Sequence, residues 1–340
     1  MDLKPGKQAR VGNWRGGMQR REFVKLGLAL LGTGAASARM LRAEKGVPPQ
    51  LAPEAFRKQI VGPILSVPTC YRDDLSLDFD AMRRIIDLGI RGGSGIVTLT
   101  AGNSQYDRLS YDEIKDLTRF LVDAVAKRVI TIAATGGWPT EQAVDYARLA
   151  AQVGAHALQV TMPKIDDAAQ VRHFEAITKA MPAGIVIHGQ PSVDLLRQLL
   201  KFDSIVAFKE EYTTIYTLPL YREFGDRMTF FAGGEKARLL TYWPYGMRAY
   251  YSTFMTFAPS VAMQFWNACQ EGDLKRAGEV VLKYETPFFE RWSHPFWRAT
   301  LEHFGLASRA VRPPGVKFTD EQMRELKTFF DQLGLTPNSP

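Results

Sequence analysis

The stretch GIVIHGQPSVDLLRQLLKFDSIVAFKE, residues 184–210, decides the fold. It opens with a short β-branched and apolar run, breaks at Gly189-Gln190-Pro191, continues with helix-period spacing over 192–200 and ends in a second apolar run at 205–209. A short apolar run on each side of an amphipathic segment predicts a β-α-β unit, in which a right-handed helical crossover joins two parallel strands.

The same pattern recurs along the chain from residue 60 to residue 270. We predict strands at 60–68, 95–100, 129–135, 157–162, 184–189, 205–209, 228–232 and 248–254. Helical segments are predicted near 80–89, 111–126, 140–153, 169–181, 192–200, 213–224, 235–243 and 259–270. Eight strand-helix units favour an α/β fold of the closed (β/α)8 TIM-barrel type, with an open doubly wound sheet as the alternative. No Gly-x-Gly-x-x-Gly follows the first predicted strand, so nothing supports a dinucleotide site.

Polar residues mark the start of several predicted helices. Ser110 and Glu113 have the spacing of a capping box, in which each side chain binds a backbone amide at the helix start. Thr140 before Glu141, and Ser192 before Asp194, predict similar starts.

The domain organisation follows from these elements. The barrel is expected over 55–271, followed by a C-terminal helical extension over 272–340. That extension is predicted to contain helical segments at 272–305 and 319–334, separated by the helix breaker Arg312-Pro313-Pro314-Gly315. The first segment is rich in Phe and Trp, so we expect it to pack on the barrel or in a subunit contact.

The amino-terminal 43 residues carry the net charge of the chain. They hold nine Lys and Arg and two acidic residues, Asp2 and Glu22, so their net charge is +7. The net charge of all 340 residues is also +7, so residues 44–340 have a net charge of zero. A nucleic-acid-binding surface would need a basic face on the folded body, and the sequence therefore predicts no nucleic-acid partner. Two cysteines exclude a disulfide framework or a four-thiolate zinc site, and no apolar run is long enough for a stable membrane span.

The run from Gln19 to Lys25, with Arg20-Arg21 followed by Phe23, precedes a weakly apolar, small-residue stretch ending near Ala38. This order resembles a twin-arginine export signal. We expect a signal peptide over 1–43, a linker over 44–54, and export to the periplasm by the twin-arginine machinery. The alternative is a disordered basic tail.

Catalytic groups of such barrels lie at the carboxyl ends of the strands. Lys209 ends the sixth predicted strand, directly after Ile205-Val206-Ala207-Phe208. Apolar surroundings disfavour the ammonium and supply the neutral amine that Schiff-base chemistry needs. The alternative is a structural lysine paired with a carboxylate, for which the sequence offers Glu210, Glu211 or Glu235.

Three other strand ends carry candidate groups. Gly102, Asn103 and Ser104 follow the second strand, where backbone amides and side-chain donors can bind a carboxylate, although an ordinary Gly-Asn turn has the same sequence. His188 ends the fifth strand, as a proton shuttle, a metal ligand or a hydrogen-bonded structural residue. Ser252 lies in the eighth.

Five stretches at or near the strand ends form a set. They are Ala101-Gly102-Asn103-Ser104-Gln105 before Leu109-Ser110-Tyr111-Asp112-Glu113, Thr135-Gly136-Gly137 before Thr140-Glu141-Gln142-Ala143, His173-Phe174-Glu175-Ala176-Ile177, Lys209 before Glu210, and Tyr251-Ser252 before Pro259. This set resembles, in order, the Gly-Thr-Thr-Gly-Glu loop and helix start, the Gly-x-Gly segment, the His-Phe-x-x-Ile motif, the lysine strand and the Ile-Ser strand of the dihydrodipicolinate synthase / N-acetylneuraminate lyase family. The resemblance runs from about Ile60 to Ala268.

The resemblance implies a Schiff-base lyase or aldolase without a cofactor or a metal. A pyruvate-type or sugar-derived 2-oxo acid would form an imine with Lys209, and the loop after the second strand would hold its carboxylate. The imine would then support carbon–carbon or carbon–oxygen bond cleavage. The resemblance further implies a homo-oligomer, either a tetramer or a dimer.

Several positions depart from the family pattern, and they limit the reactions that we expect of this chain. The family's Tyr-Asn-x-Pro aligns with His188-Gly189-Gln190-Pro191, so histidine replaces the proton-relay tyrosine. Gly102 and Asn103 replace the two loop threonines, and the interface tyrosine falls near Lys164-Ile165. The synthase's substrate-binding arginine falls at Val193, so we expect no role in lysine biosynthesis.

Two other classes of function remain open from the sequence alone. His188 with Glu210 or Glu211 and Glu235 would suit a metal-dependent sugar isomerase or epimerase. The missing tyrosines favour a non-catalytic protein that binds a 2-oxo acid reversibly through Lys209.

Overall fold

The computed structural model describes residues 51–337. Over that range eight parallel strands close into one barrel in sequence order, with the first strand paired to the eighth. The strands are β1 Gly62–Ser66, β2 Ile96–Thr98, β3 Ile130–Ala134, β4 Ala157–Thr161, β5 Gly184–His188, β6 Ile205–Glu210, β7 Thr229–Ala232 and β8 Ala249–Tyr251. The predicted (β/α)8 barrel is therefore confirmed, and the open sheet is not formed.

Helices surround the barrel and extend beyond it. In the part of the chain before the extension they are α1 Pro53–Lys58, α2 Phe79–Arg91, α3 Tyr111–Val125, α4 Thr140–Val153, α5 Asp167–Ala180, α6 Val193–Leu199, α7 Thr214–Phe224, α8 Lys236–Tyr242 and α9 Pro259–Gln270. The extension contains α10 Leu274–Val280, α11 Thr286–Phe289, α12 His294–His303 and α13 Asp320–Leu333, with a π-helical turn at Val281–Glu285 between α10 and α11. Among the described residues, no helix is long and apolar enough to cross a membrane.

Two apolar cores result from the alternation of side chains along each strand. The larger core lies between strands and helices, and the smaller one fills the barrel. Phe56 of α1 belongs to the barrel core and packs on Gly184, where an added Cβ would lie 2.2 Å from its ring. Helix α1 thus lies against the barrel core through a glycine of β5 that leaves room for an aromatic ring.

Several sequence predictions are corrected in detail. The eighth strand, predicted to reach residue 254, ends at Tyr251, and Thr253–Thr256 form a 3-10 turn. Thr140 does not cap α4, because it is the first helical residue and its hydroxyl bonds His173 Nδ1 at 3.0 Å. Ser110 with Glu113 does form the capping box, and Ser192 caps α6. The helical segment predicted at 272–305 is broken into three helices.

The carboxyl-terminal extension packs on the barrel, which is one of the two arrangements that its aromatic content predicted. Glu285, from the π-helical turn, accepts hydrogen bonds from Lys236 Nζ at 3.0 Å and from the Lys236 backbone amide at 2.6 Å. Arg312 donates to Glu113 at 2.7 Å and to the Leu75 carbonyl at 2.9 Å. These contacts join the extension to the first turns of α8 and α3 and to the loop after β1.

The predicted signal peptide, over 1–43, lies outside the described residues. The predicted linker, 44–54, is described only from residue 51, and α1 begins inside it at Pro53.

Candidate active site

Strand β6 places Lys209 in the mouth of the barrel. Ala207 belongs to the barrel core, and the two-residue repeat of a strand turns Lys209 and then Glu211 to the same side. Lys209 is 7% exposed, and its Nζ lies 4.9 Å from the ring centre of Tyr251 on β8. The amine is therefore held in a nearly dry position with an aromatic wall.

Glu211 bridges the two candidate catalytic side chains. Its Oε1 lies 2.9 Å from Lys209 Nζ, and its Oε2 lies 2.9 Å from His188 Nε2. His188 ends β5, the strand next to β6 in the barrel. The structure thus brings Lys209 and His188 together through one carboxylate, which the sequence offered only as one of three partners for the lysine.

A residue of the neighbouring strand β4 positions the second ring nitrogen of His188. His188 Nδ1 lies 3.3 Å from the Thr161 hydroxyl, which donates to the Thr135 carbonyl at 3.0 Å. A protonated imidazole would find an acceptor for each N–H, because Nε2 faces Glu211 and Nδ1 faces an oxygen whose own hydrogen points away. The ring is therefore oriented to take up and release a proton.

Burial and charge set the ionisation of Glu211 and His188. Burial alone would raise the pKa of the Glu211 carboxyl, but the hydrogen bond from His188 and the charge of Lys209 outweigh it and lower the pKa to about 2. Burial, followed by the charge of Lys209, lowers the pKa of His188 below its ordinary value, against the opposing effect of Glu211. Near neutral pH the carboxylate is ionised and the imidazole is neutral, so His188 can act as a base.

A glycine on the neighbouring strand end makes room for Glu211. A Cβ added at Gly233 would lie 2.4 Å from Glu211 Cγ and 2.5 Å from its Oε1. Real side chains do not approach so closely. The glycine after β7 therefore allows the carboxylate to reach Lys209.

Glu210 and Glu235, the other two carboxylates considered as partners, lie elsewhere. Glu210 is fully buried on the opposite side of β6, where its Oε1 accepts from the Thr217 hydroxyl at 2.8 Å and its Oε2 pairs with Arg238 at 3.1 Å. Glu235 is exposed before α8. Across residues 51–337 no three His, Cys, Asp or Glu side chains lie close enough together to bind a metal ion. Within that range, His188, Glu210 and Glu235 are therefore not brought together as the metal-dependent alternative requires.

The loop after β2 is built by its own hydrogen bonds. Ser104 Oγ donates to the Val67 carbonyl at 2.8 Å and accepts from the Thr100 amide at 3.2 Å, so this predicted binding residue shapes the loop. The Asn103 amide donates to the Thr100 hydroxyl at 3.1 Å. Gly102 is exposed and Asn103 half-buried, which leaves these two predicted residues at the surface of the loop.

Gln159 lies inside the barrel and was not predicted from the sequence, whereas Ser252 was a predicted site residue. Tyr251 donates its hydroxyl to Gln159 Oε1 at 2.9 Å. Ser252 Oγ and Gln159 Nε2 are buried and have no hydrogen-bond partner among the described residues. A glutamine in the apolar strand 157–161 is the signal that could have drawn attention to Gln159. Buried polar atoms without a hydrogen-bond partner are typical of sites that bind a ligand or an ordered water molecule.

A model of the dihydrodipicolinate synthetase family matches residues 59–333. The chain belongs to this family. A probable 5-dehydro-4-deoxyglucarate dehydratase of Streptomyces coelicolor is 27% identical over 300 residues, which cover 81% of this chain and 94% of that protein.

Solved structures share the fold of this dihydrodipicolinate synthetase family member. The dihydrodipicolinate synthase of Aquifex aeolicus superposes with a TM-score of 0.74 at 21% identity, covering 82% of this chain and all of that one. The N-acetylneuraminate lyase of Fusobacterium nucleatum gives 0.72 at 18% identity, covering 81% and 99%. The predicted family and the predicted lyase type of enzyme are therefore confirmed.

Proposed function

We propose that this lyase forms an imine between Lys209 and the keto carbon of a sugar-derived 2-oxo acid, and uses it to eliminate water from the sugar chain. The observation that carries the proposal is the carboxylate of Glu211, 2.9 Å from Lys209 Nζ and 2.9 Å from His188 Nε2. A nucleophilic amine and a neutral base joined by one carboxylate is an arrangement suited to imine chemistry.

The first step is attack by the neutral amine. A proton passes from Lys209 Nζ to Glu211 Oε1, while Glu211 Oε2 keeps its hydrogen bond from His188 Nε2. The amine adds to the keto carbon. Glu211 then returns the proton to the carbinolamine hydroxyl, which leaves as water, so that the protonated imine remains and the carboxylate is ionised again. The substrate carboxylate would lie on the loop of Gly102 and Asn103, where the exposed backbone can approach it closely.

The second step is elimination. The imine acidifies the adjacent carbon, a base removes one proton, and the electron pair forms an enamine. The enamine expels the hydroxyl from the next carbon, which leaves as water after taking up a proton. His188 is the base and then the acid, because its ring is neutral and its Nδ1 faces the Thr161 hydroxyl. Water then hydrolyses the imine and frees Lys209.

The relatives guide the choice of substrate. Several are named 5-dehydro-4-deoxyglucarate dehydratases, from Streptomyces, Pseudomonas and Rhodococcus. We propose a substrate of that class, a deoxygenated keto sugar acid. Val193 stands at the position that the resemblance gives to the arginine of the lysine-biosynthetic synthase, which argues against that reaction.

The test is turnover of a small panel by the purified full chain. The panel contains 5-dehydro-4-deoxyglucarate, N-acetylneuraminate, and pyruvate with an aldehyde acceptor, and products are followed by proton NMR. We expect loss of the first compound and little reaction with the others. An imine trapped by borohydride on every compound, without turnover of any, would identify a reversible 2-oxo acid binder instead.

We also propose export through the twin-arginine machinery and assembly as a homo-oligomer, a tetramer or a dimer. Arg20-Arg21 before Phe23, and the concentration of positive charge in residues 1–43, support the first. Replacement of both arginines by lysine is expected to keep the protein in the cytoplasm, as measured by immunoblotting of periplasmic and cytoplasmic fractions. A matched variant with Arg10 and Arg15 replaced by lysine should still be exported. Equal periplasmic amounts of all three proteins would contradict the twin-arginine route.

A further inference from the structure

Arg298 is a buried cation without a matching anion. It lies on α12, is 0% exposed, and donates from Nη2 to Gln105 Oε1 at 3.1 Å. Its Nε and Nη1 have no hydrogen-bond partner in the described part of the chain, and no carboxylate there pairs with it. A guanidinium removed from water without a counter-ion is among the costliest groups that a fold can bury.

The neighbouring ionisable groups do not supply the missing charge. Burial raises the pKa of the Cys70 thiol to about 12 even though Arg298 lowers it. Burial also raises the pKa of the Tyr71 phenol. Both groups are neutral near pH 7, whereas arginine remains charged in proteins. No anion among the described residues offsets the positive charge of Arg298, whose guanidinium carbon lies 5.0 Å from the ring centre of Trp297.

The contact made by Arg298 leads directly to the loop after β2. Gln105 has a left-handed backbone conformation, with φ of 51°, and its amide donates to the Gly102 carbonyl at 2.9 Å. Gln105 therefore closes the same turn that exposes Gly102 and Asn103. The family motif that the loop resembles has a glutamate at this position, whereas Gln105 is neutral. Because residue 105 does not cancel the charge of Arg298, that charge can act on the turn.

We propose that Arg298 is a positioning residue that acts through Gln105, and that its uncompensated charge favours the loop conformation and the electrostatic potential that bind the carboxylate of a 2-oxo acid. This inference rests on the proposed function, since it concerns the same substrate. A carboxylate bound on the loop of Gly102 and Asn103 offsets part of the cost of the buried charge. Carbonyl compounds without a carboxylate gain nothing from it.

The test compares pyruvate with methyl pyruvate, which keeps the keto group and removes the charge. Trapping by borohydride, measured by intact mass over a range of concentrations, gives the half-saturating concentration for each probe. Arg298→Met and Gln105→Glu are expected to raise the value for pyruvate roughly tenfold, equivalent to about 1.4 kcal/mol, and to leave that for methyl pyruvate nearly unchanged. Arg298→Lys should retain most of the pyruvate affinity.

Gln105→Glu keeps Arg298 in place and supplies a counter-ion, so it tests the charge even where Arg298→Met fails to fold. Equal changes for both probes, or no change for either, would overturn the inference and leave Arg298 with a structural role only. Trapping of neither probe on the unmodified enzyme would contradict the imine itself. In that case protection against thermal unfolding by pyruvate decides the inference separately: a smaller protection in Gln105→Glu supports it, and equal protection overturns it.

Discussion

Replacement of Lys209 by alanine is expected to abolish the borohydride-trapped adduct and to reduce turnover ~10⁴-fold or more, as the loss of a covalent nucleophile does. Lys209 Nζ is the amine that the barrel holds 2.9 Å from a carboxylate and 4.9 Å from the Tyr251 ring. Alanine leaves Glu211 and His188 in place but removes the atom that forms the imine. Intact mass after borohydride treatment with 5-dehydro-4-deoxyglucarate or pyruvate measures the adduct directly.

Two further variants make this result specific. Lys201→Ala removes an exposed lysine after α6 and is expected to leave trapping intact. Lys209→Arg keeps a positive charge for Glu211 but offers no nucleophilic amine at neutral pH, so it should fold and fail to trap. An adduct of undiminished yield in Lys209→Ala would show that another lysine forms the imine, and the proposed site would then be wrong.

Replacement of Glu211 by glutamine is expected to slow imine formation and turnover without abolishing the trapped adduct. Lys209 remains, so trapping should persist at high substrate concentration, whereas kcat falls by ~10²–10³-fold because no carboxylate takes up the proton of Lys209 or orients His188. The carboxylate raises the pKa of His188, against burial and the Lys209 charge that lower it. Its removal lowers that pKa further, and the acid limb of kcat/KM moves to lower pH.

The pH profile distinguishes this role from a loss of stability. In the unmodified enzyme the acid limb of kcat/KM is expected below pH 6.5, the ordinary pKa of histidine, because protonation of His188 removes the base. Glu235→Gln, which changes an exposed carboxylate just before α8, should keep the unmodified profile. An acid limb at the same pH in Glu211→Gln and in the unmodified enzyme would exclude His188 as the titrating group.

The sequence predicted the fold more fully than the site. All eight strands were predicted because each is a short apolar run bounded by polar breaks, and the capping box at Ser110 was predicted because it depends on residues three apart. The end of β8 was missed, since the 3-10 turn at Thr253–Thr256 packs residues as apolar as those of a strand. Local spacing contains no signal for that difference.

For the site, the sequence predicted the position of each residue but not its contacts. Lys209, His188, Gly102, Asn103 and Ser252 all lie at strand ends or in the loops that follow, as predicted from the order of elements. Whether each side chain has a hydrogen-bond partner depends on residues that are distant in the chain. Ser104 is engaged by Val67, 37 residues before it, and Ser252 is unmatched because nothing among the described residues reaches its hydroxyl.

By itself, the sequence determined the barrel, the family and the position of the candidate nucleophile, because these follow from periodicity and from motifs of a few adjacent residues. Only the tertiary structure decided which glutamate serves Lys209. The two-residue repeat of β6 turns Glu210 outwards to Thr217 and Arg238 and Glu211 inwards to Lys209, and Gly233 on the next strand end leaves it space. It also decided that Arg298 lacks an anion, since the charge balance of a buried group is set by side chains that the fold brings together from distant parts of the chain.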